Sequence, residues 1–485
     1  MNILFISSEA APFAKTGGLG DVCGALPAHF AHSENVTLAI PEYDTAAIRS
    51  LDLRPADSFS VRIGERDYPA LMKRANLDRG FELLLVSQEL FFARRFLYGS
   101  AAGDYADNFE RFLFFQKALD EYVRRCDGRW DIVHANDWQS ALLPLLLARN
   151  GGRSGFRRPR LFFSIHNLGY QGIFPGRRFP ELELEESYFS PENLEFFGQI
   201  NFLKGGITAA DRLLTVSPTY AQEIRRREFG FGLEGFLNRH AAKLTGILNG
   251  IDYTEWNPRT DRHLFQNYSP QALPQKAENK PPLYSALGLA ADPEWPLAVC
   301  ISRLAAQKGM DLLVQSLPDL LREKLAVIVL GTGDAAYAEQ LRAIQEAHPR
   351  QMAFIDRFDE PLAHRLEAAG DILLMPSAYE PCGLNQLYSL KYGTVPVVRA
   401  TGGLADTVEP VAAKRKSGTG FTFAAYEAAE LTRTVRQALN IFRKNRHLWT
   451  DIQLNGMAKD FSWERSANSY LELYKKSLDE VQPHE

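Results

Sequence analysis

Short, almost continuously apolar runs alternate with amphipathic stretches along this chain. In the first half the runs predict strands, and longer stretches such as 108–126 and 140–149 repeat apolar residues at helical spacing. Strands that are apolar on both faces and alternate with helices are typical of a parallel sheet covered on both sides. The predicted strands of the first half are 3–6, 36–40, 82–86, 132–135, 161–165 and 212–216.

The second half repeats this alternation. Helical patterns at 310–320, 335–347 and 361–369 separate its apolar runs. The chain is therefore predicted to be an α/β protein with two doubly wound, Rossmann-like domains that face one another across a deep cleft, lined by the carboxyl ends of the strands. The predicted strands of this half are 298–301, 326–330, 352–355, 371–375 and 395–398.

The length of the chain, 485 residues, is enough for two domains that each have a core. We place the hinge at the segment 246–252, so that residues 1–246 form an N-terminal domain and 247–461 a C-terminal domain. The last helical pattern, at 464–478, is predicted to return to the first domain, which is then completed by residues 462–485.

The charge and cysteine content narrow the class of protein. Charged residues make up 24% of the chain and the net charge is -4, which gives no general attraction to nucleic acid or to anionic membranes. The four cysteines show no pair at metal-ligand spacing, as expected for reduced thiols in a cytoplasmic enzyme. The N-terminus lacks the pattern of a signal peptide, and the apolar run near 141–148 is too short to cross a bilayer.

The segment 376–407 carries the most informative motif. The predicted strand 371–375 ends in a tight polar turn that contains Glu380, and a helix at 384–392 follows. A second strand then leads to the glycine pair at 402 and 403. A strand, turn and helix with an acidic residue at the turn is an arrangement that holds the hydroxyls and phosphates of a sugar nucleotide.

A glycine-rich loop follows the first strand of the chain. Residues 15–22 read Lys-Thr-Gly-Gly-Leu-Gly-Asp-Val, after which a helix is predicted. Glycines allow a ligand to approach the backbone, amides at a helix start favour anions, and Lys15 adds a positive charge. A plain turn with a surface lysine is an equal alternative. A dinucleotide fingerprint with Glu42 is disfavoured, because the third glycine, Gly24, comes one residue too late.

Arg303 and Lys308 flank the loop after the first strand of the second half. Two cations beside a helix start can clamp a diphosphate, although most such pairs are surface cations. When a sugar leaves a nucleoside diphosphate, fixed cations stabilise the negative charge that develops on the phosphate. No Asp-x-Asp triplet for a metal ion occurs in the sequence, so these two side chains are predicted to act in place of a metal.

Two further loops follow strands of the first half. The segment 164–172 contains His166 and Asn167, and the histidine either binds a sugar near its reacting carbon or has a structural role. In the segment 134–138, Asp137 either orients an acceptor or caps the helix that begins at Ser140. The sequence leaves both choices open.

An aromatic and polar group at 98–112 is a third candidate. Sugars stack on aromatic rings and bond to Asp and Asn side chains, and the alternative is an ordinary capped helix whose core includes Phe112 and Phe115. Phe115 is assigned to the core, and Tyr98 remains open. The acidic, aromatic segment 180–198 is either a mobile loop or a surface excursion, and 151–160 is predicted to be a solvated loop.

Taken together and in order, these motifs resemble the bacterial glycogen synthases and plant starch synthases, which form glycosyltransferase family 5. The resemblance extends from the first strand to the last helix. It is carried by Lys15–Val22, Asp137-Trp138, His166-Asn167, Asn249–Asp252, Arg303 with Lys308, Glu380–Leu384 and Thr401–Leu404.

The resemblance implies a GT-B fold and transfer of glucose from ADP-glucose to the non-reducing end of an α-1,4-glucan such as glycogen. It implies retention of configuration, with no metal and no cofactor. The first domain would lie on the acceptor side, and the second would bind the nucleotide sugar. The residues implied to contact substrates are Lys15, Gly17, Gly18, Tyr98, Asp137, His166, Asn167, Asn249, Arg303, Lys308, Phe358, Glu380, Cys382, Gly383 and Leu384.

Some positions depart from the family pattern. Asn136 replaces a frequent histidine, Asn385 a threonine, Ala400 a basic residue, and Phe358 a tyrosine expected to stack on adenine. These differences affect donor preference more than reaction type. Alternative functions are a related enzyme with another donor (UDP-glucose) or acceptor, a non-catalytic glucan-binding protein, and a nucleotide-dependent oxidoreductase, which the glycine spacing disfavours.

Overall fold

The computed structural model describes residues 1–100, 103–126, 128–149, 156–412 and 417–480. Half of the loop predicted at 151–160 therefore lies outside the described residues. The chain forms two compact units. Unit 1 comprises Met1–Val216, Ala221–Ile247 and Trp463–Glu485, and unit 2 comprises Ser217–Tyr220 and Leu248–Ser462.

The strands of unit 1 are β1 (Asn2–Ile6), β2 (Asn35–Pro41), β3 (Arg54–Ile63), β4 (Arg66–Asn76), β5 (Glu82–Ser87), β6 (Gly99–Ser100), β7 (Gly103–Asp104), β8 (Ile132–Asn136), β9 (Arg160–Ile165), β10 (Ile173–Pro175), β11 (Glu195–Phe196), β12 (Gln199–Asn201), β13 (Arg212–Thr215) and β14 (Leu244–Gly246). Those of unit 2 are β15 (Leu297–Ile301), β16 (Ala326–Leu330), β17 (Met352–Ile355), β18 (Ile372–Met375), β19 (Val395–Arg399) and β20 (Phe421–Phe423).

The helices, in chain order, are α1 (Gly18–Phe30), α2 (Ala46–Arg49), α3 (Glu89–Phe92), α4 (Asn108–Arg125), α5 (Leu142–Ala148), α6 (Phe202–Ala209), α7 (Pro218–Glu223), α8 (Glu234–Arg239), α9 (Lys280–Leu287), α10 (Met310–Leu320), α11 (Ala335–Ala347), α12 (Glu360–Ala369), α13 (Asn385–Tyr392), α14 (Gly402–Thr407), α15 (Ala428–Lys444), α16 (Arg446–Met457) and α17 (Trp463–Asp479). Short 3₁₀ turns span Trp138–Ser140, Gly176–Leu182, Glu186–Tyr188, Ala241–Lys243, Pro270–Asn279 and Ala306–Lys308.

Unit 1 is built on a sheet of order β14-β13-β9-β8-β1-β2-β5-β4-β3. The strands from β14 to β5 are parallel, whereas β4 pairs antiparallel with both β5 and β3. Helix α17 packs into this unit, where the Tyr474 ring lies 5.7 Å from the Phe30 ring of α1 and 5.8 Å from the His134 ring of β8. The end of the chain thus contributes to the core that its beginning forms.

Unit 2 is built on a parallel sheet of order β17-β16-β15-β18-β19-β20. Its strands are buried almost throughout, and apolar residues of flanking helices such as α10, α12 and α15 pack on its two faces. The prediction of an α/β fold with parallel sheets is confirmed. The reason is that strands covered on both faces must be apolar at successive positions, which makes them visible in the sequence.

The antiparallel edge of unit 1 was not predicted. Strands β3 and β4 form a long hairpin whose residues are mostly exposed or half-buried, so they carry no continuous apolar run. The segment 180–198 also has more structure than expected, because Leu182 and Leu194 are buried and β11 joins the small sheet β10-β12-β11. Among the described residues, every helix is too short or too polar to span a lipid bilayer.

Candidate functional site

In unit 2, the loop after β15 and the turn after β18 meet at the carboxyl edge of the sheet, because these two parallel strands are neighbours. The ammonium of Lys308 donates a hydrogen bond of 2.6 Å to Oε2 of Glu380. The hydroxyl of Ser377 donates to the same oxygen at 3.1 Å. The structure therefore brings together Lys308 and Glu380, two of the predicted site residues, although they are far apart in the chain.

The Glu380 side chain is buried, and the ion pair explains how it can be. A buried carboxylate is tolerated only when a positive charge and hydrogen bonds compensate for its lost hydration. Lys308 and Ser377 supply both. By contrast, Arg303 is exposed and its guanidinium has no partner within the described parts of the chain. Arg303 is thus available to bind an anion from solution.

The glycine pair of α14 shapes the turn that carries Glu380. A Cβ atom on Gly402, whose φ is +44°, would overlap the carbonyl oxygen of Glu380, and one on Gly403 would overlap that of Cys382. The amide of Gly403 also donates to the Glu380 carbonyl at 3.0 Å. Glycine is needed at both positions because the chain itself leaves no room for a side chain.

Helix α13 begins directly after Cys382, Gly383 and Leu384, and the side chain of its N-cap residue, Leu384, makes no capping hydrogen bond. Uncapped amides at a helix start favour an anion. The side-chain amide of Gln386 donates to the carbonyls of Cys382 and Gly383 at 3.0 and 3.1 Å, which holds the turn in place. The side-chain amide of Asn385 donates to the Ile301 carbonyl and so ties the helix start to the end of β15.

Asn249 and Cys382 meet beside this turn. The backbone amide of Asn249 donates to the Cys382 thiol, and burial raises the pKa of that thiol to about 12. The thiol is therefore a neutral hydrogen-bonding group rather than a nucleophile. The side-chain oxygen of Asn249 is buried and has no hydrogen-bond partner in the described residues, which leaves it available to a donor on a ligand.

Phe358 lies in the loop between β17 and α12, with 79% of its surface exposed. An exposed phenyl ring can stack on an adenine, and Phe358 has no ring partner among the described residues. The structure does not bring it into contact with the other predicted residues of unit 2.

The loop at 331–334 in unit 2 was missed in the sequence. The amide of Leu304 donates to the Thr332 carbonyl at 3.0 Å, and the amide of Asp334 donates back to the Leu304 carbonyl at 2.8 Å. A Cβ atom on Gly331 would overlap the Ser302 carbonyl. This loop therefore positions the residues on both sides of Arg303. A Gly-x-Gly motif directly after a strand was the signal that could have found it.

In unit 1, Glu9 organises the glycine-rich loop, and sequence reasoning missed it. Its buried carboxylate accepts hydrogen bonds from the Thr16 amide at 2.5 Å, the Gly17 amide at 3.3 Å and the Tyr98 hydroxyl at 2.8 Å. Burial raises the pKa of Glu9, against the effect of these hydrogen bonds. Tyr98, which was left open, is therefore a partner of Glu9 through its hydroxyl.

Helix α1 begins at Gly18, earlier than the start predicted after Val22, so the amides near Gly18 belong to the helix start. The Lys15 ammonium lies 2.6 Å from a carboxylate oxygen of Asp21, and about half of its side chain is exposed. A Cβ atom on Gly17 or Gly18 would meet no atom of the described residues within 4 Å. Unlike Gly402, these glycines are not required by their own surroundings.

Asp137 does not cap the helix that follows it, which corrects one of the two predicted alternatives. Its side chain makes no capping hydrogen bond to the 3₁₀ turn 138–140 and instead accepts from the amides of His166, at 2.7 Å, and Asn167. The backbone of Asp137, with φ at +56°, directs the carboxylate to the neighbouring loop. Burial raises the pKa of Asp137 to about 7.

His166 is held in one orientation. Asn136 donates through its side-chain amide to the Ile6 carbonyl at 2.9 Å, so its oxygen is the acceptor facing Nε2 of His166, also at 2.9 Å. Nε2 therefore carries the proton, and Nδ1 has the lone pair. Burial lowers the pKa of His166 to about 3, so the ring is neutral at physiological pH. Asn167 accepts from the Gly169 amide at 2.9 Å within its own loop.

The aromatic group at 98–112 is mostly core. Phe112 and Phe115 are fully buried, and Asp107 accepts hydrogen bonds from Arg94 rather than capping α4. Each unit thus gathers part of the predicted set. Unit 1 joins the Lys15–Gly18 loop to Tyr98 through Glu9, and separately joins Asp137 to His166 and Asn167. Unit 2 joins Lys308 to Glu380 and Asn249 to Cys382.

Comparison with known families and proteins identifies what this chain is similar to. Residues 2–239 match the starch synthase catalytic domain family, and residues 289–450 match the glycosyl transferases group 1 family. A glycogen synthase of Anaeromyxobacter sp. (strain Fw109-5) is 46% identical over 98% of this chain and 99% of its own length. One of Koribacter versatilis is 42% identical over 98% of each chain.

Among solved structures, the catalytic domain of starch synthase IV from Arabidopsis thaliana, bound to ADP and acarbose, superposes with a TM-score of 0.88. It is 32% identical to this chain, and the match covers 99% of both chains. Sucrose-phosphate synthase from Thermosynechococcus elongatus matches with a TM-score of 0.61 at 17% identity, which shows the fold alone. This chain therefore belongs to the glycogen and starch synthase family of glycosyltransferases and has the GT-B fold.

Proposed function

We propose that this protein is a glycogen synthase, a retaining glycosyltransferase that transfers glucose from ADP-glucose to the non-reducing end of an α-1,4-glucan. The observation that carries the proposal is the Lys308–Glu380 ion pair, together with Arg303, whose guanidinium has no partner among the described residues, in a chain 42–46% identical to glycogen synthases over nearly its full length. The two cations, Arg303 and Lys308, suit the diphosphate of a nucleotide sugar. The buried carboxylate of Glu380 suits the hydroxyls of its glucose.

The cations would act on the leaving group. As the bond between glucose and the diphosphate breaks, negative charge grows on the phosphate oxygen, and Arg303 and Lys308 would stabilise it more in the transition state than in the ground state. Lys308 is already oriented by Glu380, so little reorganisation is needed. The uncapped amides at the start of α13, near Gly383 and Leu384, would bind the same phosphate.

Glu380 would also bind the hydroxyls of the transferred glucose. Lys308 and Ser377 use only Oε2 of its carboxylate, which leaves Oε1 for a sugar hydroxyl. In unit 1, the neutral ring of His166 would contact the same glucose, with Asn167 beside it and Asp137 holding the loop through two backbone amides. A neutral ring is suited to the uncharged faces of a sugar.

The acceptor hydroxyl would attack on the same face that the diphosphate leaves, or would capture a short-lived ion pair. The departing phosphate would take the proton from the attacking 4-hydroxyl, and the new glycosidic bond would keep the configuration of the old one. Exclusion of water would protect the donor from hydrolysis.

The donor is proposed to be ADP-glucose because Phe358 offers an exposed ring for adenine and because the Arabidopsis starch synthase is bound to ADP. Unit 2 would bind this nucleotide sugar, assisted by Lys15, Gly17 and Gly18 of unit 1, and unit 1 would face the glucan. The net charge of -4 supports a partner set without nucleic acid or membranes, and a cytoplasmic location fits the absence of cysteine pairing among the described residues.

Incubation of the purified protein with radiolabelled ADP-glucose and glycogen tests the proposal. We expect label in α-1,4 linkages at the non-reducing ends, at an initial rate that a chelator does not change. Competition with UDP-glucose measures donor choice, and preferential use of UDP-glucose would contradict the assigned donor. Binding of glycogen with no transfer from either donor would instead favour a glucan-binding protein.

A further inference from the structure

Three side chains in unit 2 converge outside the residues assigned to the substrates. One ligand atom each from Glu255, Glu360 and His364 lies within 4.8 Å of the other two. Glu360 and His364 are one turn apart in α12 and so share a face of that helix. Glu255 comes from the segment that follows residue 252. The cluster thus joins this segment to the first turns of α12.

The histidine of the cluster is almost completely buried, with 1% of its side chain exposed. Its Nδ1 atom lies 2.7 Å from Oδ2 of Asp261, which also accepts a hydrogen bond of 2.6 Å from the Tyr392 hydroxyl. The backbone amide of His263 donates to the other oxygen of Asp261, Oδ1, at 2.8 Å. A carboxylate that accepts from a hydroxyl and a backbone amide acts as an acceptor towards the ring as well, so Nδ1 of His364 carries a proton.

The state of the second ring nitrogen of His364, Nε2, follows from that of Nδ1. In a neutral ring with its proton on Nδ1, Nε2 carries a lone pair. This buried atom has no hydrogen-bond partner in the described residues, which is an unusual state for a buried polar group. The ring cannot turn away, because Trp256 stacks on it at 3.7 Å with an interplanar angle of 13°. A histidine that binds a metal through one ring nitrogen commonly donates the N–H of its other ring nitrogen to a carboxylate, which orients the ring.

Glu255 and Glu360 supply the negative charge that would attract a metal cation. Both are exposed, so an ion can reach them from solution. Their ligand atoms lie within 4.8 Å of each other. Two carboxylates held this close repel each other, and a cation between them would remove the repulsion.

We infer that Glu255, Glu360 and His364 form a binding site for a divalent transition-metal ion such as Zn²⁺, in which Nε2 of His364 is the buried ligand. One imidazole nitrogen and two carboxylate oxygens suit Zn²⁺ and its neighbours better than Mg²⁺ or Ca²⁺, which prefer oxygen ligands alone. Water would complete the coordination. The ion would tie the 252–261 segment to α12 and stabilise unit 2, independently of glucosyl transfer.

The sequence contained one sign of this site, the spacing Glu360-x-x-x-His364. It is weak alone, since helices often carry such pairs on a solvated face. The third ligand, Glu255, and the supporting Asp261 are both more than 95 residues away from His364 in the chain, so their arrangement depends on the fold.

The test uses the full-length protein, stripped with a chelator and desalted. Calorimetric titration with Zn²⁺ should show one ion per chain, and Co²⁺ should give a visible absorption spectrum typical of nitrogen ligation. Glu255→Gln and Glu360→Gln should each weaken Zn²⁺ binding at least about tenfold, His364→Gln should abolish it, and Asp261→Asn should weaken it about 10–100-fold. Zn²⁺ should raise the Tm of the wild type but not that of His364→Gln.

Glu339→Gln is the matched control, because Glu339 is an exposed glutamate on another helix of unit 2, α11. It should bind Zn²⁺ as the wild type does. Equal Zn²⁺ affinity and equal Co²⁺ spectra in the wild type, Glu255→Gln and Glu360→Gln would overturn the inference, as would the absence of binding below millimolar Zn²⁺. The two glutamate variants alter exposed side chains, so the test does not depend on the fold of His364→Gln. None of the readouts measures transfer, so they are independent of the proposed function.

Discussion

The Asp137–His166 site of unit 1 and the Lys308–Glu380 site of unit 2 treat their buried polar side chains in opposite ways. In unit 1, Asp137 and His166 are buried with no charged partner among the described residues, and burial shifts both pKa values towards the neutral form, to about 7 and about 3. In unit 2, Glu380 is buried just as deeply, but it is paired with Lys308 at 2.6 Å. Burial without a charged partner favours the neutral form of a group, whereas an ion pair compensates for the lost hydration of a buried charge.

This difference matches the chemistry proposed for each unit. The transferred glucose is uncharged, and neutral groups such as His166 can contact it without a large desolvation penalty. A diphosphate is strongly charged and needs fixed cations. Transfer of glucose from a sugar nucleotide requires both a neutral and a charged environment. Unit 1 provides the first and unit 2 the second.

The glycines differ between the units as well. Gly402 and Gly403 are required by the chain itself, because any Cβ atom there would overlap the turn at Glu380–Cys382. At Gly17 and Gly18, a Cβ atom would meet none of the described residues. If glycine is required at the second pair, the reason must be the approach of a ligand.

The largest effect is expected when the cation that pairs with Glu380, Lys308, is removed. Lys308→Ala should lower kcat about 100- to 1000-fold, as expected for the loss of one group that stabilises transition-state charge. The assay is incorporation of glucose from ADP-glucose into glycogen, with a thermal melt to verify folding. Lys444→Ala, which changes an exposed lysine of α15, is the control and should be unaffected. Near-normal turnover of a folded Lys308→Ala protein would refute the role assigned to Lys308.

Asp137 has no charged partner among the described residues, and this predicts a dependence of stability on pH. The pKa of Asp137 is raised from 3.8 to about 7, so the folded protein binds a proton that the unfolded chain loses above about pH 4. The contribution of Asp137 to stability is thus present below that pH and is lost as the pH rises towards 7. The asparagine of the Asp137→Asn variant cannot ionise. As the pH rises from 4 to 7, the free energy of unfolding of this variant should therefore increase relative to that of the wild type by roughly 3 kcal/mol.

Urea unfolding at several pH values measures this difference. His134 and His166 have lowered pKa values, so their contributions are lost as the pH falls, which is the opposite direction. Both histidines are present in the two proteins, and their contributions cancel in the comparison. Stability curves of Asp137→Asn and wild type that stay parallel from pH 4 to 8 would show that Asp137 is ionised throughout.

The two kinds of glycine can be separated by matched substitutions. Gly402→Ala should lower the free energy of unfolding by about 1–3 kcal/mol and reduce turnover, because the new methyl group displaces the Glu380 turn. Gly18→Ala should change stability by less than about 0.5 kcal/mol but raise the KM for ADP-glucose, if the donor approaches this loop. Chemical unfolding and steady-state kinetics provide both values. A Gly18→Ala protein with an unchanged KM would remove Gly18 from the donor site.

The smallest effect is expected at Cys382. Its thiol accepts a hydrogen bond from the Asn249 amide, and burial keeps it protonated. Cys382→Ser retains an acceptor at this position, so kcat/KM should fall by less than about threefold, in keeping with a neutral hydrogen-bonding role. Inactivation of a folded Cys382→Ser protein would show that the thiol itself takes part.

The elements that the sequence predicted well are those whose pattern is local. Most parallel strands of both units were found because each is apolar at successive positions, as at 326–330. The three-residue parallel strands β14 and β20 were not predicted. The hairpin of β3 and β4 was missed because an edge with one solvated face alternates polar and apolar residues irregularly. The start of α1 was placed too late because the glycines at its first turn are poor helix formers.

In the candidate site, too, the features predicted were those that depend on local sequence, and the contacts between distant residues were missed. The loops that contain Lys15, His166, Arg303 and Glu380 were predicted from their position after strands. Their partners were not: the contact of Lys308 with Glu380 joins residues 72 positions apart, and that of Tyr98 with Glu9 joins residues 89 apart. Glu9 itself stands in a segment of small residues and showed no pattern.

The sequence by itself determined the alternation of strands and helices, the residues that follow each strand and the family to which the chain belongs, because these depend on local order along the chain. Only the tertiary structure decided which of those residues touch, which carboxylates keep their charge and which glycines are indispensable. Ionisation and steric fit depend on the atoms within a few ångströms of a group, and in a folded chain most of those atoms come from distant positions in the sequence.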